Sequence, residues 1–301
     1  MSAERPLVLV YQMGKVASVA VEQGLRRVLP DADVRRLHFT SEARLEQFIA
    51  LLEHARDAGD APFGAMASIV EQVRDNTETR AHVRGHVAAG GRVTVVTGVR
   101  EPIDFVVAAF FQVLDFVSPL SAELFRLDPA WVTTLQRLFL DFWTRAAVGA
   151  AWTTSAERQI GPLFTLAAEW FERELEPLLG VDVYATPLDP AAGYAVIRTE
   201  EADTLLFRFE DARRVLPAAL GELLGRSLVA LDETNAAMQK PTAALYRAFR
   251  ETLRVPPALV AAAYATRYAR HFYTDAERAR FAARWSGRPG SDVAEGRRAA
   301  G

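Results

Sequence analysis

The order of apolar and amphipathic segments predicts an α/β protein: a three-layer sandwich with a mostly parallel sheet and a helical C-terminal portion. Three observations predict it. RPLVLVYQM (5–13), RVTVVTGV (92–99) and DTLLFRFE (203–210) are near-continuous apolar runs, the pattern of strands buried on both faces. Behind each run the apolar spacing changes to that of a helix. From Asp211 to Ala283 the helical pattern dominates.

RPLVLVYQM opens the sheet, and the spacing after it predicts a helix from about Ala17 to Leu29. DVRRLHF (33–39) reads as a second, short strand. SEARLEQFIALLEHARDA (41–58) is an amphipathic helix with Ser41 as its N-cap and Leu45, Phe48 and Leu52 on one face. A further helix covers about Phe63–Ala89 and stops at Gly90-Gly91. RVTVVTGV returns the chain to the sheet, and Pro102 starts a helix that runs to about Phe116. Residues 120–180 read as helix in two or three pieces. VDVYA (181–185) and GYAVIRT (193–199) read as short strands before the buried strand DTLLFRFE. No linker divides the chain, so a single domain is expected over residues 1–285. SGRPGSDVAEGRRAAG (286–301) has no apolar periodicity and reads as a disordered tail.

Composition narrows the function classes. The 301 residues are half apolar and carry a net charge of −3, which gives no general affinity for nucleic acid. The absence of cysteine excludes disulfides and thiolate zinc sites. The opening MSAERPLVLVYQ lacks the basic region and cleavage site of a signal peptide, and no segment approaches the roughly 18 apolar residues of a membrane span. A soluble, cytoplasmic protein is expected.

The first candidate for chemistry is the loop behind the first strand. In a parallel sheet, ligands bind beyond the carboxyl ends of the strands. Lys15 sits there, with Ser18 at the opening of the next helix, where free amides and the helix dipole favour an anion. These are the parts of a phosphate or sulfate cradle, although the G-x-x-x-x-G-K-[ST] spacing of a Walker A loop is missing. A helix start with a solvated lysine would read the same. The second candidate is Arg100, at the end of RVTVVTGV. Its guanidinium can grip a second anion bidentately, or it can pair with a neighbouring carboxylate, Glu101 or Asp104.

Taken together these residues resemble a family. Lys15-Val16-Ala17-Ser18 is similar to the 5′-phosphosulfate loop of sulfotransferases, Lys-x-Gly-[ST]-[ST]. Arg100-Glu101-Pro102 is similar to their 3′-phosphate motif, Arg-[DE]-Pro. Gln12-Met13-Gly14-Lys15-Val16 resembles the opening of bacterial sulfotransferases linked to capsular polysaccharide synthesis. His38-Phe39, Trp170 to Leu175, Gly180 to Tyr184, Gly193-Tyr194 and Leu206 to Asp211 resemble later stretches of that family. So do Asn235, Lys240, Tyr246 and Phe249, and the segment YATRYARHFYTDAERARF (264–281). Three positions depart from the pattern. Ala17 replaces a glycine, Val19 a hydroxyl residue, and Ala108 the serine expected at the 3′-phosphate, a loss of about 1.5–3 kcal/mol of charged hydrogen bonding.

The resemblance implies a P-loop-NTPase-like sulfotransferase fold and a 3′-phosphoadenosine 5′-phosphosulfate donor, with no metal. It implies an acceptor hydroxyl on a glycan or small metabolite. Gly14, Lys15, Val16, Ala17, Ser18 and Val19 would form the phosphosulfate loop, Lys15 would neutralise charge on the bridging oxygen, and Arg100 would hold the 3′-phosphate. Sulfuryl transfer needs a base for the acceptor, and His38, at the carboxyl end of the second strand, is the choice. A core histidine would fit the same pattern, and Glu22 and Glu42 remain alternatives. His54, His82 and His86 fall within helices, and His271 in an aromatic stretch. The acceptor cleft is expected from residues 110–160 and the C-terminal helices. Bland roles are expected for Arg208 with Glu210 and Asp211 at a strand end, for the Trp170-Phe171 pair in the core, and for Tyr246, Phe249 and Tyr264 on a core-facing helix side. Lys240 reads equally as a donor contact or a solvated lysine. A nucleotide-binding or scaffold protein of this fold without turnover is the alternative; a P-loop kinase is disfavoured by the missing Walker spacing.

Overall fold

The computed structural model describes residues 5–58, 66–117, 121–225 and 241–287. Five strands form one sheet: β1 (Leu7–Tyr11), β2 (Asp33–Leu37), β3 (Val93–Val99), β4 (Tyr194–Arg198) and β5 (Ala202–Arg208). Their order is β2-β1-β3-β5-β4. β2, β1, β3 and β5 are parallel, and the helices between them supply the crossovers that parallel strands need. β4 and β5 are separated by three residues, too few for a crossover, so β4 lies antiparallel at the edge.

Alternate residues of β1 face opposite layers. Leu7, Leu9 and Tyr11 join the larger core with α4 (Pro102–Val117), α6 (Trp131–Ala147), α8 (Leu163–Trp170) and the C-terminal helices α11 (Ala243–Thr252), α12 (Pro257–Ala265), α13 (Arg267–Phe272) and α14 (Asp275–Ser286). Val8 and Val10 join the smaller core with Val21 and Leu25 of α1 (Ser18–Val28) and Val215, Leu216 and Leu220 of α10 (Ala212–Leu224). The result is the expected sandwich of helices on both faces of the sheet. The chain moves from β1 outward to β2, then back past β1 to β3. The strand order therefore reverses between β1 and β3, and the crevice beyond their carboxyl ends is where ligands bind in such sheets.

Several expectations change in detail. α2 (Glu42–Ala58) buries Leu45 and Leu51, whereas Leu52 is half-buried and Phe48 stacks on Phe39 with ring centres 4.6 Å apart. α3 is described from Met66 to Ala88, so the expected start at Phe63 lies outside the described residues. The region 120–180 holds more pieces than expected, adding α5 (Ser121–Leu127), α7 (Ser155–Ile160) and α9 (Glu176–Leu179). α7 starts at a capping box in which Thr154 and Glu157 satisfy each other's backbone N–H groups. VDVYA is not a strand: the Asp182 carboxylate accepts from Tyr184 N at 2.8 Å and curls Val183–Ala185 into a 3-10 turn. α14 ends at Ser286, and the remainder of the expected tail, from residue 288, lies outside the described residues. Among the described residues no helix is long and apolar enough to cross a membrane.

Ser41 holds the N-cap position of α2, its carbonyl accepting from Leu45 N, but its hydroxyl is turned to Glu174 as a donor. The buried carboxylate of Glu174, far along the chain, accepts from Thr40 N at 2.6 Å, Ser41 N at 2.8 Å and the Ser41 hydroxyl at 2.6 Å. It also accepts from the Tyr11 hydroxyl at 2.9 Å. Glu174 reaches this point because Phe171–Leu175 form a π-helical turn. Pro177 has no N–H to continue the ladder, and ahead of it Glu176 N donates to Phe171 O, five residues back. The widened turn directs Trp170, Phe171, Glu174 and Leu175 inward together. Glu174→Ala leaves several buried donors without an acceptor and is expected to lower the unfolding free energy by about 3–5 kcal/mol in urea titrations.

Candidate functional site

β1 ends at Tyr11 and α1 begins at Ser18, so the chain reverses within a short loop. Gly14 has φ 86°, Lys15 φ 55° and Ala17 φ 66°, all in the left-handed region. Glycine takes this conformation without penalty, but each non-glycine residue there costs about 1–2 kcal/mol. Alternating backbone conformations of this kind turn successive amides inward and form anion-binding concavities. α1 has no side-chain cap and no acidic residue in its first turn. Its leading amides and the positive end of its dipole thus face the loop uncompensated.

The loop opens on a cleft of about 410 Å³ at the reversal between β1 and β3, within the range of small-ligand sites. Gly14, Lys15, Ala17, Ser18 and Val19 line one side, while the Val16 side chain is buried beneath the loop. Arg36, His38, Arg44 and Arg100 bring cationic and titratable groups to the same cleft. Its acidic member, Glu174, is already engaged by the start of α2. The cleft is therefore electropositive and suited to an anion.

His38 lies one residue beyond β2. Its Nδ1 is 2.8 Å from the Gln12 carbonyl and its Nε2 is 3.3 Å from Arg36 Nη1. A carbonyl only accepts and a guanidinium only donates, so Nδ1 carries the proton and Nε2 presents the lone pair. Burial pushes the imidazole pKa below its ordinary 6.5, aided by the charges of Arg36 and Lys15; the Gln12 hydrogen bond and Glu22 oppose this and lose. Trp170 is core, as expected, and its indole N–H also donates to the His38 carbonyl at 2.7 Å. The alternatives for the base are committed elsewhere. Glu22 accepts from Arg36 at 2.6 Å and from Arg26, and Glu42 pairs with Arg80; neither lines the cleft.

Arg100 has a carboxylate partner. Its Nε and Nη2 donate to Asp104 Oδ2 at 2.9 and 2.5 Å, and its Nη1 donates to the Lys15 carbonyl at 2.8 Å. The ring of Phe209 lies 4.4 Å below the guanidinium. Three of its five donors are thus used, and two N–H groups have no acceptor among the described residues on a side chain that lines the cleft. Arg250 holds the other Asp104 oxygen, with Nη2 at 2.5 Å. Burial would raise the Asp104 pKa, but Arg100 and Arg250 outweigh it and hold the group below its ordinary value.

Glu101 turns the other way. It accepts from Ile103 N and Asp104 N at the start of α4 and from the Tyr264 hydroxyl and Trp285 indole. Burial, with the nearby Asp104 charge, pushes its pKa up to about 7. Ala108 is buried on α4 and does not line the cleft; Gln112, one turn on, does.

The other singled-out residues have structural settings. Arg208 pairs with Asp211 at 2.6 Å and Glu277 at 2.9 Å, as a strand-end organiser, whereas Glu210 accepts from Glu101 N. Tyr246, Phe249 and Tyr264 pack on the larger core. His82 lies 3.3 Å from Asp33, His86 Nε2 3.1 Å from the Arg92 carbonyl, and His271 against Tyr184 and Phe272. Asn235 and Lys240 fall outside the described residues. Sequence reading missed Arg36, Arg44 and Gln112. Arg36 was within reach, because residues two apart on a strand share a face and His38 was already in view.

Ala17 offers a direct probe of the loop. Ala17→Gly relieves about 1–2 kcal/mol of left-handed strain and adds about 0.4–1 kcal/mol of unfolded-chain entropy. The variant is expected to be more stable, by about 0.5–1 kcal/mol in denaturant unfolding, with the cleft unchanged.

Comparison with known proteins places part of this architecture. The family model NKWYS, described as "Putative capsular polysaccharide synthesis protein", matches residues 164–274. This stretch, just over a third of the chain, carries Trp170, Glu174 and Arg208; the loop at Lys15, His38 and Arg100 lie outside it. No curated protein and no solved structure matches the chain. Over residues 164–274 the chain is thus similar to a family described by capsular polysaccharide synthesis.

Proposed function

We propose that this protein is a sulfotransferase that moves a sulfuryl group from 3′-phosphoadenosine 5′-phosphosulfate to a hydroxyl of a glycan or small metabolite. One observation carries the reading. The cleft at the strand-order reversal joins an uncapped helix, a left-handed Lys15 loop and a neutral histidine with its lone pair presented. The polysaccharide-synthesis family match favours a glycan as acceptor.

The residues fit such a donor. The loop amides from Gly14 to Val19 and the Ser18 hydroxyl hold the 5′-phosphate, and the two remaining N–H groups of Arg100 hold the 3′-phosphate. When bound, the donor supplies the sulfuryl group. The acceptor oxygen forms a bond to sulfur as the bond from sulfur to the phosphate oxygen breaks. Lys15 neutralises the charge that builds on that oxygen, and His38 Nε2 takes the acceptor proton. Arg36, whose contact to Nε2 is long, keeps Glu22 as its ion-pair partner when the acceptor displaces it.

The hold of Asp104 on Arg100 favours a second reading, a nucleotide-binding protein of the same architecture without turnover. Titration calorimetry with adenosine 3′,5′-bisphosphate and with ATP, followed by assay of sulfate transfer from labelled donor, separates the two. Binding of the bisphosphate with transfer supports the enzyme; binding without transfer supports the second reading; binding of neither nucleotide removes both. Lys15→Ala is expected to cut transfer by about a hundred- to a thousand-fold in a folded protein. Transfer within a few-fold of wild type would reject the role given to Lys15.

The pH profile tests His38. A base works only when neutral, and the His38 pKa is lowered, so activity persists as pH falls through 6.5 and is lost only as pH falls through the lower folded value. The acid limb of kcat/KM is expected below pH 6.5, and His38→Asn is expected to abolish that limb together with most of the activity. An unchanged limb in His38→Asn would assign the base elsewhere.

A further inference from the structure

A second cavity, of about 450 Å³, adjoins the cleft and shares Arg44 and Phe48 with it. Its other wall is formed by Trp152, Arg158, Gln159 and Pro162, at and around α7. This wall is firmly built. Glu157 accepts from Thr153 N at 2.7 Å and from Thr154 N, and it holds Arg145 at 2.5 Å. The Arg145 guanidinium lies 4.8 Å over the Trp152 ring, Phe142 stacks on that ring at 5.6 Å, and the ring fills the space a side chain at Gly161 would need, 2.1 Å from a Cβ there. A cavity whose walls are fixed before binding loses little ordering entropy to its ligand.

The lining has a definite chemistry. Two arginines face the cavity, and neither Arg44 nor Arg158 has a carboxylate within ion-pair distance among the described residues. Arg44 instead donates to Gln47 Oε1 at 2.9 Å and lies over the Phe48 ring. Two guanidinium groups on one cavity favour an anion, even with the Glu174 and Glu169 charges acting on Arg44. The aromatic and proline surfaces suit the C–H face of a sugar ring.

We infer that this cavity is the acceptor subsite and that the acceptor is an acidic saccharide, with its carboxylate held by Arg158 and Arg44. Its use in catalysis rests on the proposed sulfuryl transfer, but saccharide binding does not. The subsite joins the reaction cleft at Arg44 and Phe48, so a bound sugar would extend toward Lys15 and His38.

The test is calorimetry with two probes: a disaccharide of glucuronic acid and N-acetylglucosamine, and the same disaccharide with glucose in place of glucuronic acid. The acidic disaccharide is expected to bind about ten-fold tighter or more. Arg158 is exposed, and Arg158→Ala is expected to remove that preference while adenosine 3′,5′-bisphosphate binds as to the wild type. Equal affinity for both disaccharides, no binding of either, or an intact preference in Arg158→Ala would overturn the inference. Arg158-dependent binding of the acidic disaccharide without any binding of the bisphosphate would support the saccharide subsite and reject the sulfate donor.

Discussion

The Glu174 carboxylate fixes the positions on which the cleft depends. It joins the end of β1 through Tyr11 and the start of α2 through Thr40 and Ser41. On the same π-helical turn and the residue before it, Trp170 packs edge-on against Tyr11 at 4.9 Å and holds the carbonyl of His38. A charge this deeply buried is tolerated because every contact is a donated hydrogen bond. Glu174 and Trp170 belong to the stretch similar to polysaccharide-synthesis proteins, whereas the loop and His38 do not. The matched segment supplies the frame, and the N-terminal strands supply the groups presented on it.

Opposite that frame, charge is arranged in an alternating chain. Arg250, Asp104 and Arg100 follow one another, and Arg100 ends on the Lys15 carbonyl. Two cations hold the Asp104 pKa below its ordinary value, while burial pushes that of Glu101, beside it at the head of α4, up to about 7. Neighbouring carboxyl groups with separated pKa values lose their protons one after the other, which limits their mutual repulsion at the helix start below pH 7. The side of the cleft built by Arg100 therefore remains cationic.

Much of the frame was legible in the sequence. β1, β3 and β5 announced themselves as apolar runs, and Gly14-Lys15 marked the break where the first strand ends. The parts that escaped depend on partners distant in sequence or on local polar competition. Val181, Val183 and Tyr184 have the composition of a strand, but one Asp182 hydrogen bond curls the segment instead. Ser41 looked like a self-sufficient cap, and nothing nearby in sequence pointed to Glu174. Arg100 could be read as ligand grip or local ion pair; the structure shows an ion pair with Asp104 that still leaves two donors on the cleft side chain. An acceptor cleft was expected from residues 110–160 and the C-terminal helices; from these only Ala151, Trp152, Arg158 and Gln159 line the second cavity, and its other wall comes from α2.

The loop itself carries the largest local conflict. Lys15 and Ala17 occupy a backbone region that costs each of them energy, and Gln12, one residue past β1, buries a side-chain amide with no partner among the described residues. Such costs persist where surrounding structure over-determines the conformation. Here the Val16 side chain is anchored in the interior, the Gln12 carbonyl is tied to His38, and the Lys15 carbonyl is tied to Arg100. The two hydrogen-bonded braces come from different strand ends, so the loop cannot relax without releasing its tie to the end of β2 or of β3. In the proposed reaction, the arginine that engages the far phosphate is also the brace of the loop that engages the near one. The two halves of the donor site are then set by a single side chain, and the strain at Lys15 and Ala17 is the local cost of holding them in register.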